Sequence, residues 1–250
     1  MQPEAPATKP RRNWHFVRWV FVGILAILGW LSWNAYDFNQ AVKEAKELRW
    51  QFYYKDPFAL IRANWRNAFR RETWGNRQRL LSILPNQPLD GHYDVIRRLE
   101  PWQLSISATF PPHDLSELKG MSNLNDLVLF DCPNLTNIDP LSQLKGLETF
   151  IIYRAPALAN IEGLKKIKTL TRLRLSGCRM LPNVDAARDL KTLQYLSFKG
   201  CAGLKNVDGL LGLTQLNTLD LSGCTSLTEE AVNAAKDALP TTYIESPHGQ

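Results

Sequence analysis

Apolar positions recur with a 23-residue period through the C-terminal part of the chain, at Leu124, Leu147, Leu170, Leu193, Leu216 and Leu239. A fixed spacing of that length means one supersecondary unit stacked on copies of itself. Units begin at Leu124, Leu147, Leu170, Leu193 and Leu216, and a weaker copy, PWQLSISATFPPHDLSELKGMSN, precedes them in register from Pro101. The first, fourth and sixth positions of each unit are apolar, as in Leu124/Leu127/Leu129 and Leu170/Leu173/Leu175. Fourth and sixth positions differ by two and so share one face of a short strand. Leu135, Leu158, Leu181, Leu204 and Leu227, followed by Ile138, Ile161, Val184 and Val207, give the return leg its own inward side chains. One such coil cannot bury its apolar face alone, whereas stacking about three or more does. The pattern therefore predicts an α/β solenoid, a ribbon of parallel strands about 25 Å long at about 4.8 Å per strand.

Polar columns run through the same frame. Asp139, Glu162, Asp185 and Asp208 precede short helical-looking segments, and Pro140 follows the first of them. An acid at a helix start with proline at the next position predicts N-capping by the carboxylate, which outweighs a calcium ladder. Asn137, Asn160, Asn183 and Asn206 are expected to serve turns. The ninth positions hold Cys132, Ala155, Cys178, Cys201 and Cys224, which include every cysteine of the chain. In-register parallel strands set neighbouring Cβ atoms about 4.8 Å apart, more than a disulfide accepts, and paired CxxC spacing for zinc is absent. Buried free thiols are expected. The last unit departs from the pattern: TEEAVNAAKDAL predicts a longer helix with Thr228 as its N-cap, closed by a partial strand at Leu239, Tyr243 and Ile244. Residues 245–250 are expected to form a disordered tail.

The LxxLxLxxCxxL pattern resembles the leucine-rich repeat family. Its "LSGC" and "LKNVDGLLGL" phrases look like the cysteine-bearing versions in F-box proteins and plant resistance receptors, and "NIDPLSQLKGL" is similar to internalin-type repeats. The resemblance covers Pro101 to about Ile244 and implies leucine-rich repeats over 101–244. For function it implies a binding module and no particular reaction, since architecture does not dictate chemistry.

The first hundred residues differ in kind. They carry 16 basic and 9 acidic side chains, against 14 and 15 in the remainder, so the positive charge belongs to the front of the chain. After a short basic tail, 1–13, the stretch Trp19 to Tyr36 holds no charge and is bracketed by Trp14, Phe16 and Trp19 and by Trp30, Trp33 and Tyr36. That distribution predicts a transmembrane helix over 14–36. Trp33-Asn34-Ala35 is a poor cleavage site, so an uncleaved signal-anchor is expected, in a single-pass membrane protein. Lys9, Arg11, Arg12 and Arg18 keep the tail in the cytosol by the positive-inside rule and place the repeats on the extracytoplasmic side. Residues 37–100 are expected to be helical, a juxtamembrane or N-terminal cap region. There Phe38 to Tyr54 would continue the anchor helix, and a basic helix over 57–84 would start at Asp56-Pro57. Phe58, Ile61, Trp65 and Phe69 line one face of that helix, beside Arg62, Arg66 and Arg70. Two readings stand for it: a cap on the first coil, or an interfacial helix binding anionic lipid through Arg62, Arg66 and Arg70. Asn86 to Gly91 is the expected hinge.

No catalytic constellation is evident. His15, His92, His113 and His248 are scattered, and no Walker loop, dinucleotide fingerprint, HExxH or GxSxG occurs. No cofactor, metal or nucleic acid is expected. The strand face opposite the core is the candidate protein-binding site. It would present Val128, Phe130, Ile151, Tyr153, Arg154, Arg172, Arg174, Tyr195 and Lys199. Apolar residues on a solvent-facing strand call for a cause, and aromatic and arginine side chains dominate binding hot spots. The expected function is membrane-anchored protein recognition without catalysis. The alternatives are a structural or assembly role in a membrane complex and anionic-surface binding through the basic helix.

Overall fold

The computed structural model describes residues 14–48, 51–53, 80–83, 92–107 and 115–247, with side chains in the first helix from Leu25 onward. Strands β1 (Gln51–Tyr53), β2 (Leu80–Ile83), β3 (Gln103–Ser107), β4 (Asp126–Phe130), β5 (Thr149–Tyr153), β6 (Arg172–Ser176), β7 (Tyr195–Ser197), β8 (Thr218–Asp220) and β9 (Tyr243–Glu245) form one sheet in chain order. From β2 to β9 every pairing is parallel, and Leu81, Leu104, Leu127, Phe150, Leu173, Leu196, Leu219 and Ile244 lie in one register row. Consecutive members of that row are 23 residues apart until the last step. The polypeptide is thus a solenoid with one strand per coil.

The inward ladders follow the periodic frame. Leu124, Leu147, Leu170, Leu193, Leu216 and Leu239 are all buried, as are the fourth- and sixth-position residues of the five units that begin at Leu124 to Leu216. Each return leg buries its own pair, such as Leu158 with Ile161 and Leu181 with Val184. The four cysteines are fully buried and free. Two of their thiols donate to the preceding coil, Cys201 to the Leu175 carbonyl at 2.9 Å and Cys224 to the Phe198 carbonyl at 3.1 Å. Burial pushes the Cys132 and Cys224 thiols up to about 12. They are space-filling apolar groups in practice.

The eighth position of each coil needs a left-handed backbone to turn away from the strand. Gly177, Gly200 and Gly223 supply it without a Cβ, while Asp131 and Arg154 adopt the same conformation at φ 55° and 64°.

The acidic column does not cap as the sequence suggests. The segments it precedes are single 3-10 turns, Asp139–Gln143, Glu162–Lys166, Asp185–Ala187 and Asp208–Leu210, each with its acid as the first residue. Ile138, Ile161, Val184 and Val207 occupy the cap positions and make no side-chain cap bond. Capping falls to the asparagine column two residues upstream. Asn160 Oδ1 accepts from the Glu162 N–H at 2.8 Å, and Asn137, Asn183 and Asn206 do the same for Asp139, Asp185 and Asp208. A side-chain oxygen bonding the backbone two residues on is an Asx turn, which suits coils too tight for a full α-helical turn.

At the N-terminal end, the coil frame extends further than the sequence period reveals. Strand β2 pairs in parallel register with β3, one coil ahead of Pro101. Leu80–Ile83 are therefore strand, a correction to the helix expected over 57–84. The rest of that helix, with Arg62, Arg66 and Arg70, lies outside the described residues, as does the Asn86–Gly91 hinge. Strand β1 runs antiparallel to β2, and with the first helix ending at Glu47 it corrects the helix expected to continue to Tyr54.

Helix α1 (Trp14–Glu47) is continuous over 34 residues. Its C-terminal half buries Phe38, Ala41, Val42 and Ala45, an i, i+3, i+4, i+7 stripe. That half packs against α2 (Tyr93–Leu99), which buries Val95, Ile96 and Leu99. Arg98 of α2 clamps the two helices: it donates to both Glu44 carboxylate oxygens and lies 3.6 Å from Asp37 and 3.2 Å from Asp94. The hydrogen bond to Glu44 raises the Arg98 pKa against its desolvation. The N-terminal half behaves differently. Leu25, Ile27, Leu28, Trp30, Trp33 and Tyr36 are exposed, and Gly29 has open space around it. Among the described residues no helix is long and apolar enough to cross a membrane, and the start of the expected span, up to residue 24, contributes no described side chains.

At the other end α3 (Glu229–Ala238) replaces the 3-10 turn, with Thr228 as N-cap accepting from the Ala231 N–H at 3.3 Å. The longer helix adds two residues to the last coil, so β9 pairs Ile244 with Leu219. Glu245 belongs to this strand and not to a tail.

Candidate recognition face

The outward side chains of β4 to β7 come together as the strand period requires. Val128, Ile151 and Arg174 lie in one register row, Phe130 and Tyr153 in a second, and Arg172 and Tyr195 in a third. Phe130 and Tyr153 stack with ring centroids 5.0 Å apart and planes 9° from parallel. The Arg174 guanidinium continues the stack, its Cζ 5.3 Å from the Tyr153 ring centre, and donates to the Tyr153 hydroxyl at 3.2 Å. Arg172 lies over the Tyr195 ring at 5.4 Å. Two arginines of one strand are thus held by two tyrosines of the flanking strands. Contacts of this kind contribute about 0.5–2 kcal/mol each, depending on desolvation.

Val128, Phe130, Ile151 and Tyr153 are half-buried, because each leans on its neighbour one strand away. Their apolar surface is partly spent within the sheet. Arg172 and Lys199 are exposed and Arg174 is half-buried. The buried Arg174 Nε and Ser176 Oγ have no hydrogen-bond partner among the described residues. Arg154 sits one residue past β5 and forms an exposed ion pair with Asp131, one coil back. Lys199 lies beyond the end of β7, where its charge acts on Asp220.

Sequence reasoning passed over Ser197 and Asp220, which continue the row of Val128, Ile151 and Arg174 yet are buried. The Ser197 hydroxyl donates to Asp220 Oδ2 at 2.9 Å, and the Ser222 N–H and hydroxyl donate to Oδ1 at 3.0 and 2.6 Å. Desolvation would raise the Asp220 pKa, but the hydrogen bonds from Ser222 and Ser197 and the Lys199 charge bring it below the ordinary value. Asp126 behaves oppositely: burial raises it, only partly offset by a hydrogen bond from Thr149. The Asp-x-Ser spacing of Asp220 and Ser222 was a sequence signal for the first of these sites, although nothing in the period marked it as buried.

Chemically, the face offers stacked planar groups, a localised pair of cations and an apolar neighbour. No group of three His, Cys, Asp or Glu among the described residues is arranged to hold a metal ion.

No protein-family model matches the chain, and no curated protein sequence matches it. Solved structures with similar folds are leucine-rich repeat proteins. Internalin C2 from Listeria monocytogenes is 18% identical over 66% of this chain and 69% of its own, with a TM-score of 0.44. The T. pallidum leucine-rich repeat protein is 13% identical over 66% of this chain and 92% of its own, with a TM-score of 0.24. The leucine-rich repeat domain of the type III effector XopL is 18% identical and covers 98% of this chain and 99% of its own, with a TM-score of 0.46.

Proposed function

We propose that the chain is a recognition module that captures a protein partner on the outward face of β4 to β7, and that it catalyses no reaction. The observation that carries this reading is the Phe130–Tyr153–Arg174 stack. It builds a platform of aromatic and arginine side chains on a face that no element among the described residues covers, and such residues carry most of the free energy in protein interfaces. Partner capture by Tyr153→Ala and Arg174→Ala tests it, each variant losing roughly 1–3 kcal/mol of binding with melting unchanged. Full capture by both variants removes the face from consideration.

A second element of the reading is anchorage. The N-terminal half of α1 presents Leu25, Ile27, Leu28, Trp30 and Trp33 to open surroundings, within a stretch that carries no charge from Trp19 to Tyr36. A lipid bilayer is the surrounding that such a surface fits, with interfacial tryptophans at its margin. The repeats would then lie on the extracytoplasmic side, and a structural role in a membrane complex would use the same anchor. Extraction of the full chain from membranes by alkaline carbonate would end this element. Neutralising Arg62, Arg66 and Arg70 tests the alternative of anionic-lipid binding, through loss of pelleting with phosphatidylserine vesicles.

A further inference from the structure

The charges on the outward face are unevenly committed, and the imbalance has a direction. Among the described residues, neither Arg172 nor Arg174 has a carboxylate within ion-pair distance. Two of the acids near this face are engaged elsewhere: Asp131 with Arg154, and Asp220 with Ser197 and Ser222. Asp126 is held by Thr149 and reaches Arg172 only through its field. Both guanidiniums are already oriented, each against a tyrosine ring. A stacked guanidinium can keep in-plane N–H groups for the oxygens of a carboxylate. Arg174 already donates one of its own to the Tyr153 hydroxyl and buries its Nε. Ordering a free arginine ordinarily opposes binding. Here the tyrosines have met much of that entropic cost in advance.

The surroundings narrow the ligand. One and two strands to one side, Ile151 and Val128 form an apolar pair in register with Arg174. Two strands to the other side lies the carboxylate of Asp220, and Glu245 follows on β9. In the Arg174 row the cation is thus confined to one strand, with apolar residues on one flank and a carboxylate on the other. Asp126 lies two strands from Arg172 on the first flank, and the Lys199 charge acts on Asp220 on the second. A long polyanion crossing the sheet would meet repulsion at β8 and β9. A ligand with one localised carboxylate and a nearby apolar side chain meets complementary groups at both points. Neighbouring strands are about 4.8 Å apart and an extended peptide advances about 3.3 Å per residue, which sets the two ligand groups within about three residues of each other.

We propose that this face recognises an acidic peptide segment, a carboxylate of the partner bridging Arg172 and Arg174 while an apolar side chain within about three residues packs on Val128 and Ile151. The proposal rests on the reading of this face as the binding site and adds the chemistry of the partner.

The probe is a library of random dodecapeptides displayed on phage, selected on the full chain in detergent micelles. The strongest selected peptide is then synthesised with and without replacement of its acids by amides. Selected peptides are expected to be rich in Asp and Glu next to apolar residues. Affinity should fall roughly tenfold or more for the amide peptide, and for Arg172→Gln and Arg174→Gln, with melting unchanged. Arg172→Lys and Arg174→Lys keep the charge but lose the fork, and are expected to lose part of that affinity. Peptides without acid enrichment that nevertheless fail to bind Ile151→Asp would overturn the carboxylate reading and leave the face as the site. Selection of no peptide, or of peptides indifferent to Ile151→Asp and to both arginine variants, overturns the face as well. Displacement of the selected peptide by oligo-dT, weakening steeply with salt, would assign the arginines to a polyanion instead.

Discussion

Gly163 packs directly on the backbone of Ile138, one coil earlier: a Cβ added there would lie 2.3 Å from the Ile138 carbonyl oxygen and 2.8 Å from the Asp139 Cα. Backbone on both sides leaves nothing flexible to yield. Gly163→Ala is expected to destabilise the repeats by about 1–3 kcal/mol through overpacking. Ala186 holds the same repeat position in the next coil, and Ala186→Gly should cost no more than about 1 kcal/mol. Urea denaturation of the two variants checks the contrast. Equal midpoints would mean that the coils slide apart more readily than their register implies.

Arg154 carries a different strain. It occupies the left-handed position that Gly177, Gly200 and Gly223 fill in later coils, and its compensation is an ion pair with Asp131 at an exposed edge. Exposed pairs contribute about 0–1 kcal/mol, while an L-residue in this conformation costs about 1–2 kcal/mol. Arg154→Gly should therefore leave stability unchanged or raise it by about 1 kcal/mol. A marked drop in melting temperature would show that the Asp131 pair outweighs the backbone term.

Inward and outward neighbours on one strand should part company under truncation. Leu173 is fully buried, and Leu173→Ala should cost about 2–5 kcal/mol by opening a cavity between coils. Arg174→Ala removes only outward contacts and is expected to act on binding. Thermal melting beside peptide capture separates the two. Comparable loss of stability in both would mean that the Tyr153–Arg174 stack supports the sheet rather than a partner.

The cysteines give a register test. Their burial and the raised thiols of Cys132 and Cys224 predict no carbamidomethylation of folded protein by iodoacetamide at pH 8, and four modifications after denaturation. Mass spectrometry of the two samples decides it. Rapid labelling of native protein would put the ninth column outside the turn.

Much of the ribbon was legible because its burial pattern repeats. A column such as Leu127, Phe150, Leu173, Leu196 and Leu219 states the same requirement five times. Strand β2 escaped because its coil shares little with the others: Leu81 and Ile83 are in frame, but its return leg is the α-helix Tyr93–Leu99 instead of a 3-10 turn. The capping error had a local cause. Asp before Pro reads as a helix start, yet whether Asn137 or Asp139 serves the turn depends on a tight 3-10 geometry that composition does not encode. At the candidate face, the strand period put Val128, Ile151 and Arg174 on one surface. The stacking order and the burial of Ser197 and Asp220 depend on side-chain directions, which the period leaves open.

Asp220 and Asp126 should answer pH in opposite senses. Asp220 has a folded pKa below its ordinary value, because the donors from Ser222 and Ser197 outweigh burial. Such a group contributes stability that is complete above the unfolded value of about 3.9 and is lost as pH falls through the lower folded value. Asp126 has a folded pKa raised chiefly by burial. Its ionisation costs stability at neutral pH, and that cost vanishes as pH falls below about 3.9. Asp220→Asn should therefore destabilise by about 1–3 kcal/mol at pH 7, since an amide leaves one of the serine donors unmatched. Asp126→Asn should stabilise slightly at pH 7. Both differences from the parent should narrow as the pH falls below about 3.9, the Asp126 difference first and the Asp220 difference fully only once the pH passes its lower folded value. Urea midpoints for the parent and both variants at pH 7, 5 and 3 provide the check. A gap for Asp220→Asn that stays constant across this range would assign its effect to shape instead of charge.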